Sequence, residues 1–122
     1  MIVAGFGFRH AATARSLADA LARAMGDAVP SHCATAENKH THAAFRTFAE
    51  EAGLTILSVS AAELAAQDTR TQSQASRAAH GTGSVAEAAA LAAAGPGARL
   101  LASRMISGDR LATCAIATGE AS

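Results

Sequence analysis

The opening residues, Met-Ile-Val-Ala-Gly-Phe-Gly-Phe, constrain this chain more than any other segment. Ile2 to Phe6 is a short, continuous apolar run ending at Gly5 and Gly7. A run without polar alternation suits a strand covered on both faces, as in a parallel sheet with helices on either side. The following segment agrees. From Thr13 to Met25 the periodicity turns helical, with Leu17, Leu21, Ala24 and Met25 on one stripe. Asp19 and Arg23 add an outward i,i+4 pair.

The alternation of strand and helix continues. Ser31–Thr35, after Pro30, predicts a second strand. Thr41 to Ala52 predicts a second helix, with Phe45, Phe48, Ala49 and Ala52 on one face and Gly53 as its stop. Leu54 to Val59 is the clearest strand, and Ser60-Ala-Ala-Glu63 has the capping-box form that opens a helix. Gln67 to Gln74 is polar and reads as an exposed loop. Ser84-Val-Ala-Glu87 repeats the capping-box spacing and starts a helix running to about Ala94, before Gly95-Pro96-Gly97. That helix is nearly apolar all round, so it should be packed on more than one side. Arg99–Ile106 and Arg110–Ala117 then alternate across Gly108 and Asp109, where a leading glycine favours a type II′ hairpin turn. The expected architecture is a single three-layer α/β domain over residues 1–118. It has a mixed, mostly parallel sheet flanked by helices and a C-terminal β-hairpin, and residues 119–122 form a flexible tail.

Composition adds two constraints. Half of the 122 residues are hydrophobic but only 3% are aromatic, so the elements of an alanine-rich core must approach closely. Ten basic and ten acidic residues cancel. No global field attracts nucleic acid or an anionic membrane, and any anion site must be local. The start shows no basic region followed by a long apolar one, and no apolar run reaches membrane-spanning length, so a soluble cytoplasmic domain is expected. Cys33 and Cys114 form no paired motif and read as small buried hydrophobes. A disulfide would require the fold to bring them together.

Four groups of residues are candidates for chemistry. Gly5-Phe-Gly7-Phe-Arg9 reads as a strand entering a glycine turn before a helix, where backbone N–H groups and the helix start favour an anion. The third glycine of a dinucleotide fingerprint is missing, with Ala11 and Ala12 in that neighbourhood. The segment reads equally as a plain strand-to-helix turn. Gly81-Thr82-Gly83-Ser84 leads into Val85-Ala-Glu87, where N–H donors and two hydroxyls converge in a way that would grip a carboxylate or phosphate. Helix capping alone needs only Ser84 and Glu87, so the preceding Gly-Thr-Gly favours a site. Arg9, Lys39 and Arg104 are cations that an adjacent, parallel pairing of the first two predicted strands would partly gather, Arg9 and Lys39 on the same sheet edge. Singly, each reads as solvated surface charge. His32, His40 and His42 lack the ligand spacing of a zinc site, so no metal is expected; a protonatable cluster near Lys39 fits better. No Ser-His-Asp order or nucleophile elbow occurs, so no catalytic residue is assigned.

Several segments together resemble the CobE/CbiG C-terminal domain family of cobalamin biosynthesis. The most distinctive is GTGSVAEAAALAAAG, Gly81 to Gly95, followed by Leu100 to Ala117, which is similar to the family's closing hairpin. VAGFGFRHAATARSL resembles its first strand, turn and helix, and Leu54 to Leu64 its third strand and following helix. The resemblance implies a role in building the corrin ring. In the anaerobic pathway such a domain is the C-terminal part of an enzyme that opens a ring-A lactone and releases acetaldehyde. Stand-alone members of this length are associated with the aerobic pathway. It also implies a precorrin or corrin ligand rich in acetate and propionate groups, other pathway enzymes as partners, and no protein-bound cofactor. The positions carried over are Gly5, Gly7, Arg9, Lys39, Gly81, Thr82, Gly83, Ser84 and Glu87. Two positions depart: His40 and His42 stand where the family tends to carry an acidic residue, and Arg104 stands where it often has lysine. The competing readings are a non-catalytic carrier of pathway intermediates, and a nucleotide- or phosphate-binding domain using the two glycine-rich turns.

Overall fold

The computed structural model describes residues 1–69 and 84–119. Its centre is β1, Ile2–Phe8, which pairs in parallel with β2, His32–Ala36, and antiparallel with the last strand. β2 pairs in parallel with β3, Thr55–Val59. β4, Arg99–Ile106, and β5, Ala112–Thr118, form the antiparallel hairpin that completes the sheet on the far side of β1. The order is β3-β2-β1-β5-β4. This is the expected α/β class, with a mixed five-stranded sheet and a C-terminal hairpin.

The connections supply the helices: α1, Ala14–Met25; α2, Ala43–Ala52; α3, Ala61–Ala65; and α4, Val85–Ala94. Their starts are chemically defined. Thr13 and Ser16 form a reciprocal capping box before α1, and Ser60 and Glu63 form another before α3. Ser84 Oγ accepts the Glu87 N–H at 3.2 Å. Gly53 ends α2 in the left-handed region, at φ 71°, as the sequence suggested.

Residues alternate in direction along each strand, and this sorts the core into two layers. Ala4 and Phe6 of β1, Cys33 of β2, and Cys114 and Ile116 of β5 pack with α1 and α2. Val3 of β1, Ala34 and Ala36 of β2, and Ala115 and Ala117 of β5 pack with α3 and α4. The aromatic rings all lie in the first layer. Phe6 meets Phe48 and Phe45 edge-on at 5.0 and 5.8 Å, and Phe8 stacks on Phe45 at 5.5 Å. The second layer is built mainly from alanine, so α4 must lie close to the sheet. Gly5 and Gly7 permit this. A Cβ at Gly5 would collide with the Ala86 carbonyl oxygen and sit 2.5 Å from the Ala90 nitrogen. As its composition predicted, α4 is buried on several sides.

Three details differ from the sequence reading. β1 continues through Gly5 and Gly7 to Phe8, so these glycines are strand residues rather than a turn. The hairpin turn is not type II′. The residue with positive φ is Arg110, at 62°, while Gly108 has none. Five residues separate β4 from β5, too many for a two-residue turn, and side chains of α1 fix the loop instead. Finally, Met1 and Gly119 exchange two main-chain hydrogen bonds, of 2.9 and 3.0 Å, so pairing extends into the segment expected to be loose. Most of the loop expected over Gln67 to Gln74 lies outside the described residues. Among the described residues, no helix is long and apolar enough to cross a membrane.

Candidate functional site

Parallel strands β1, β2 and β3 all end at one edge of the sheet, and in open α/β sheets ligands bind beyond these carboxyl ends. α1 and α2 start there because each follows one of these strands. α4 starts there as well. Gly7 faces Val85 and Ala86, whereas Gly119, at the other end of the sheet, faces Ala94, so α4 runs antiparallel to β1. The positive ends of three helix dipoles therefore gather at this edge.

The segment Arg9 to Thr13 carries the chain from β1 to α1. The Arg9 backbone N–H donates to the Leu111 carbonyl at 2.8 Å, and the Arg9 carbonyl accepts from Ala12 at 3.0 Å. Both bonds fix the backbone and leave the exposed guanidinium without an ion pair among the described residues. Lys39 lies in the β2–α2 connection. Its Nζ donates to the Phe8 carbonyl at 2.9 Å and stands 5.2 Å from the Phe8 ring centroid. Arg9 and Lys39 thus share one edge, as the parallel pairing of β1 and β2 requires.

His42, expected near Lys39, locks the same edge through contacts that sequence reasoning did not place. His42 caps α2: its Nδ1 accepts the Ala44 N–H at 3.2 Å, and its Nε2 lies 2.9 Å from the His10 carbonyl. One neutral tautomer, with hydrogen on Nε2, satisfies both contacts. His42 therefore clasps the β1–α1 connection to the β2–α2 connection, and its ring meets Phe8 and His10 edge-on at 5.2 and 5.3 Å. The sequence signal for this clasp was minimal, since histidine is an unusual helix cap.

The β4–β5 turn is fastened at the same edge by α1. Asp109 accepts from the Ser16 and Ser107 hydroxyls, both at 2.6 Å, and from the Leu111 N–H at 3.0 Å. These bonds, the one from Ser107 foremost, hold the Asp109 carboxyl below its ordinary pKa. Asp19 accepts the Gly108 N–H at 2.7 Å and pairs with Arg23 at 3.0 Å, and its pKa is lowered for the same kind of reason.

Ser84 and Glu87 lie at the α4 start, both buried. Ser84 acts as a cap, and Glu87 Oε2 accepts the backbone N–H of Arg104 at 2.8 Å. That bond brings β4 to the start of α4 and leaves the half-buried Arg104 side chain without an ion pair among the described residues. Gly81, Thr82 and Gly83 lie outside the described residues. Gly5 and Gly7 are committed to sheet pairing and to the approach of α4, so the phosphate-loop reading retains only the Gly81–Gly83 segment. Cys33 and Cys114 are free, buried thiols. A cleft of about 310 Å³ between α3 and the turn after α4 lies at the opposite end of α4 and contains none of these cations.

The exposed Arg9 guanidinium, the Lys39 ammonium and three helix starts share this edge, an arrangement whose chemistry suits anions. Comparison with known proteins gives the biological setting. No curated protein matches the chain. A solved structure of CobE, described as a protein from the cobalamin (vitamin B12) biosynthetic pathway, is 27% identical with a TM-score of 0.83, over 96% of this chain and 89% of that one. The cobalamin biosynthesis protein chiG from Agrobacterium tumefaciens is 34% identical with a TM-score of 0.77, over 99% and 100%. A putative cobalamin biosynthesis protein G homologue from Sulfolobus solfataricus shares the fold, with a TM-score of 0.70 at 19% identity, over 98% of this chain and 37% of that longer one. The model of the family "Cobalamin synthesis G C-terminus" matches residues 2–117, and the chain belongs to this family of cobalamin biosynthesis proteins.

Proposed function

We propose that the carboxyl edge of the sheet binds a carboxylate-rich precorrin or corrin intermediate in the cytoplasm, for processing or for delivery to another pathway enzyme. One observation carries this reading. In a chain of zero net charge, Arg9 and Lys39 meet at an edge where α1, α2 and α4 all begin. A macrocycle bearing acetates and propionates around its rim presents anions at several points, and separated cations above helix starts complement that pattern. Arg104, tied to the same region by the bond from its backbone N–H to Glu87, extends the surface.

The test is titration with hydrogenobyrinic acid and with metal-free uroporphyrin, which carries eight carboxylates, followed by visible absorption. Arg9→Ala and Lys39→Ala should each weaken binding about tenfold, equivalent to about 1.4 kcal/mol. Affinity should also fall as salt rises. Wild-type protein that binds neither ligand would overturn the reading, and unchanged affinity in both variants would overturn the site. Mass spectrometry of the ligand after incubation separates a carrier from an enzyme, because a carrier returns it unaltered.

A further inference from the structure

We infer that His42 is a positioning residue that works as an acid-released clasp: its neutral ring ties the connection carrying Arg9 to the one carrying Lys39, and protonation of the ring undoes the tie. The clasp is a property of the protein alone; that it regulates binding rests on the proposed site.

An imidazole has three proton states, and each offers its neighbours a different set of donors and acceptors. His42 Nδ1 faces the Ala44 N–H at 3.2 Å, which needs an acceptor. Its Nε2 faces the His10 carbonyl at 2.9 Å, which needs a donor. The neutral ring with hydrogen on Nε2 satisfies both groups. The other neutral tautomer satisfies neither. The protonated ring keeps the donor but sets a second N–H against that of Ala44, so the cap of α2 is lost and the ring must move.

The place of the ring in the fold gives that movement a consequence. The His42 backbone N–H donates to the Lys39 carbonyl at 3.0 Å, while the ring reaches the carbonyl of His10, the residue after Arg9. The same ring meets Phe8 and His10 edge-on, at 5.2 and 5.3 Å. Lys39 Nζ supplies a second tie, to the Phe8 carbonyl at 2.9 Å, but through a long stem. Of the two ties, only that of His42 uses a side-chain type that ordinarily changes charge between about pH 5 and 8.

The ionisable side chains on the surrounding elements are Arg9 and His10 ahead of α1, Glu37, Lys39 and His40 in the β2–α2 connection, and Arg46 in the first turn of α2. His42 forms no ion pair among the described residues, so a proton on Nδ1 gains no carboxylate in exchange for the cap. The closed clasp has no place for that proton and the open one does, so acid favours the open form.

Nuclear magnetic resonance without ligand tests the inference. Long-range proton–nitrogen correlations should place the hydrogen of His42 on Nε2 in neutral solution. As the ring takes up its proton between about pH 7.5 and about pH 5, the protection factor of the Ala44 amide should fall about tenfold, the size of a lost helix cap. Overhauser contacts from the His42 ring to Phe8 and His10 should fade with it. In His42→Asn, whose carboxamide caps a helix without titrating, Ala44 protection should stay level over the same range. In His10→Ala, which keeps the backbone carbonyl, the fall should persist. Hydrogen on Nδ1 at neutral pH overturns the inference, as does a ring that stays neutral to about pH 5 or gains its proton with Ala44 protection intact. So does a fall that survives His42→Asn or vanishes in His10→Ala. Because no readout uses a ligand, failure of the protein to bind uroporphyrin overturns the proposed function and leaves the clasp standing.

Discussion

Glu87, fully buried in the first turn of α4, accepts the backbone N–H of Arg104 through Oε2 at 2.8 Å. The bond answers a need created by β4. Its pairing with β5 slips between Leu100 and Ala102 and again between Ala102 and Met105, so Arg104 sits in an irregular stretch of the ladder. A side chain from the neighbouring layer takes up a donor that regular pairing does not. Glu87→Ala should leave that N–H unsatisfied above a void and cost roughly 2–4 kcal/mol. Glu87→Gln retains an acceptor oxygen of the same reach and should cost clearly less. Urea midpoints of the two variants measure the difference. Equal losses would show that the charge, rather than acceptance from Arg104, matters.

Gly5 and Gly7 lead to a second prediction, because they are not equivalent. At Gly5 the space for a methyl group is taken by the backbone of α4, at Ala86 and Ala90. Gly5→Ala should push the helix off the sheet and cost about 3 kcal/mol or more, at the upper end for overpacking. At Gly7 the nearest atom is the Thr113 hydroxyl, at 3.0 Å. That group can rotate, so Gly7→Ala should be the milder change. Thermal unfolding of both variants checks the order, and a more damaging Gly7→Ala would contradict this account of the helix approach.

These two glycines also show why some of the molecule was legible and some was not. Capping boxes and hydrophobic periods act over three or four residues, so the helix starts at Ser60 and Ser84 and the succession of strands and helices along the chain could be read directly. A glycine needed for a turn and one needed for close packing look alike in a single sequence. The distinguishing hint was the i,i+2 spacing of Gly5 and Gly7, which puts both on one face of a strand, opposite the small residues Ala86 and Ala90 of α4. The meeting of Arg9 and Lys39 was legible only on condition that β1 and β2 are adjacent. The contacts Ser16–Asp109 and Asp19–Gly108 span 93 and 89 residues and have no local signal. The His42 clasp is similar: its partner His10 is 32 residues away, and only the fold puts them together.

The thiols give a third prediction. Cys33 pairs across the sheet with Ala4, and Cys114 with Phe6, so β1 lies between them. Two interstrand spacings separate them by about 10 Å, beyond the reach of a disulfide without backbone movement. Burial pushes the Cys33 thiol up to about 12 and Cys114 well above its ordinary value. Because the folded values are raised, the stability this contributes is complete below the unfolded thiol value of roughly 8.5 and is lost as pH climbs from there towards 12. At pH 8 the native protein should react with a thiol reagent only at the rate of its unfolding, and both cysteines should react at once in denaturant. Rapid labelling of native protein would show that the layer under α1 and α2 opens locally.

Acid should act at the other end of the stability range and at a defined place. Asp19 and Asp109 hold the β4–β5 turn against α1, and their hydrogen bonds lower both pKa values. For a carboxyl whose folded value is depressed, the stabilisation is present above the unfolded value of about 3.9 and is lost as pH falls through the folded one. Both carboxylates face solvent, so the expected effect is local release of the turn. Amide protection at Gly108 and Leu111, whose N–H groups these carboxylates accept, should drop as pH is lowered below about 4, before the sheet unfolds. Asp109→Asn should show reduced protection at Leu111 already at neutral pH, with a flatter acid response. The turn also bears on the proposed site, because the Leu111 carbonyl receives the Arg9 N–H. Asp109→Asn should therefore weaken uroporphyrin binding a few-fold while leaving the Arg9 and Lys39 side chains intact. If turn protection falls and affinity does not, the placement of Arg9 is independent of the hairpin and is set by the His42 clasp alone.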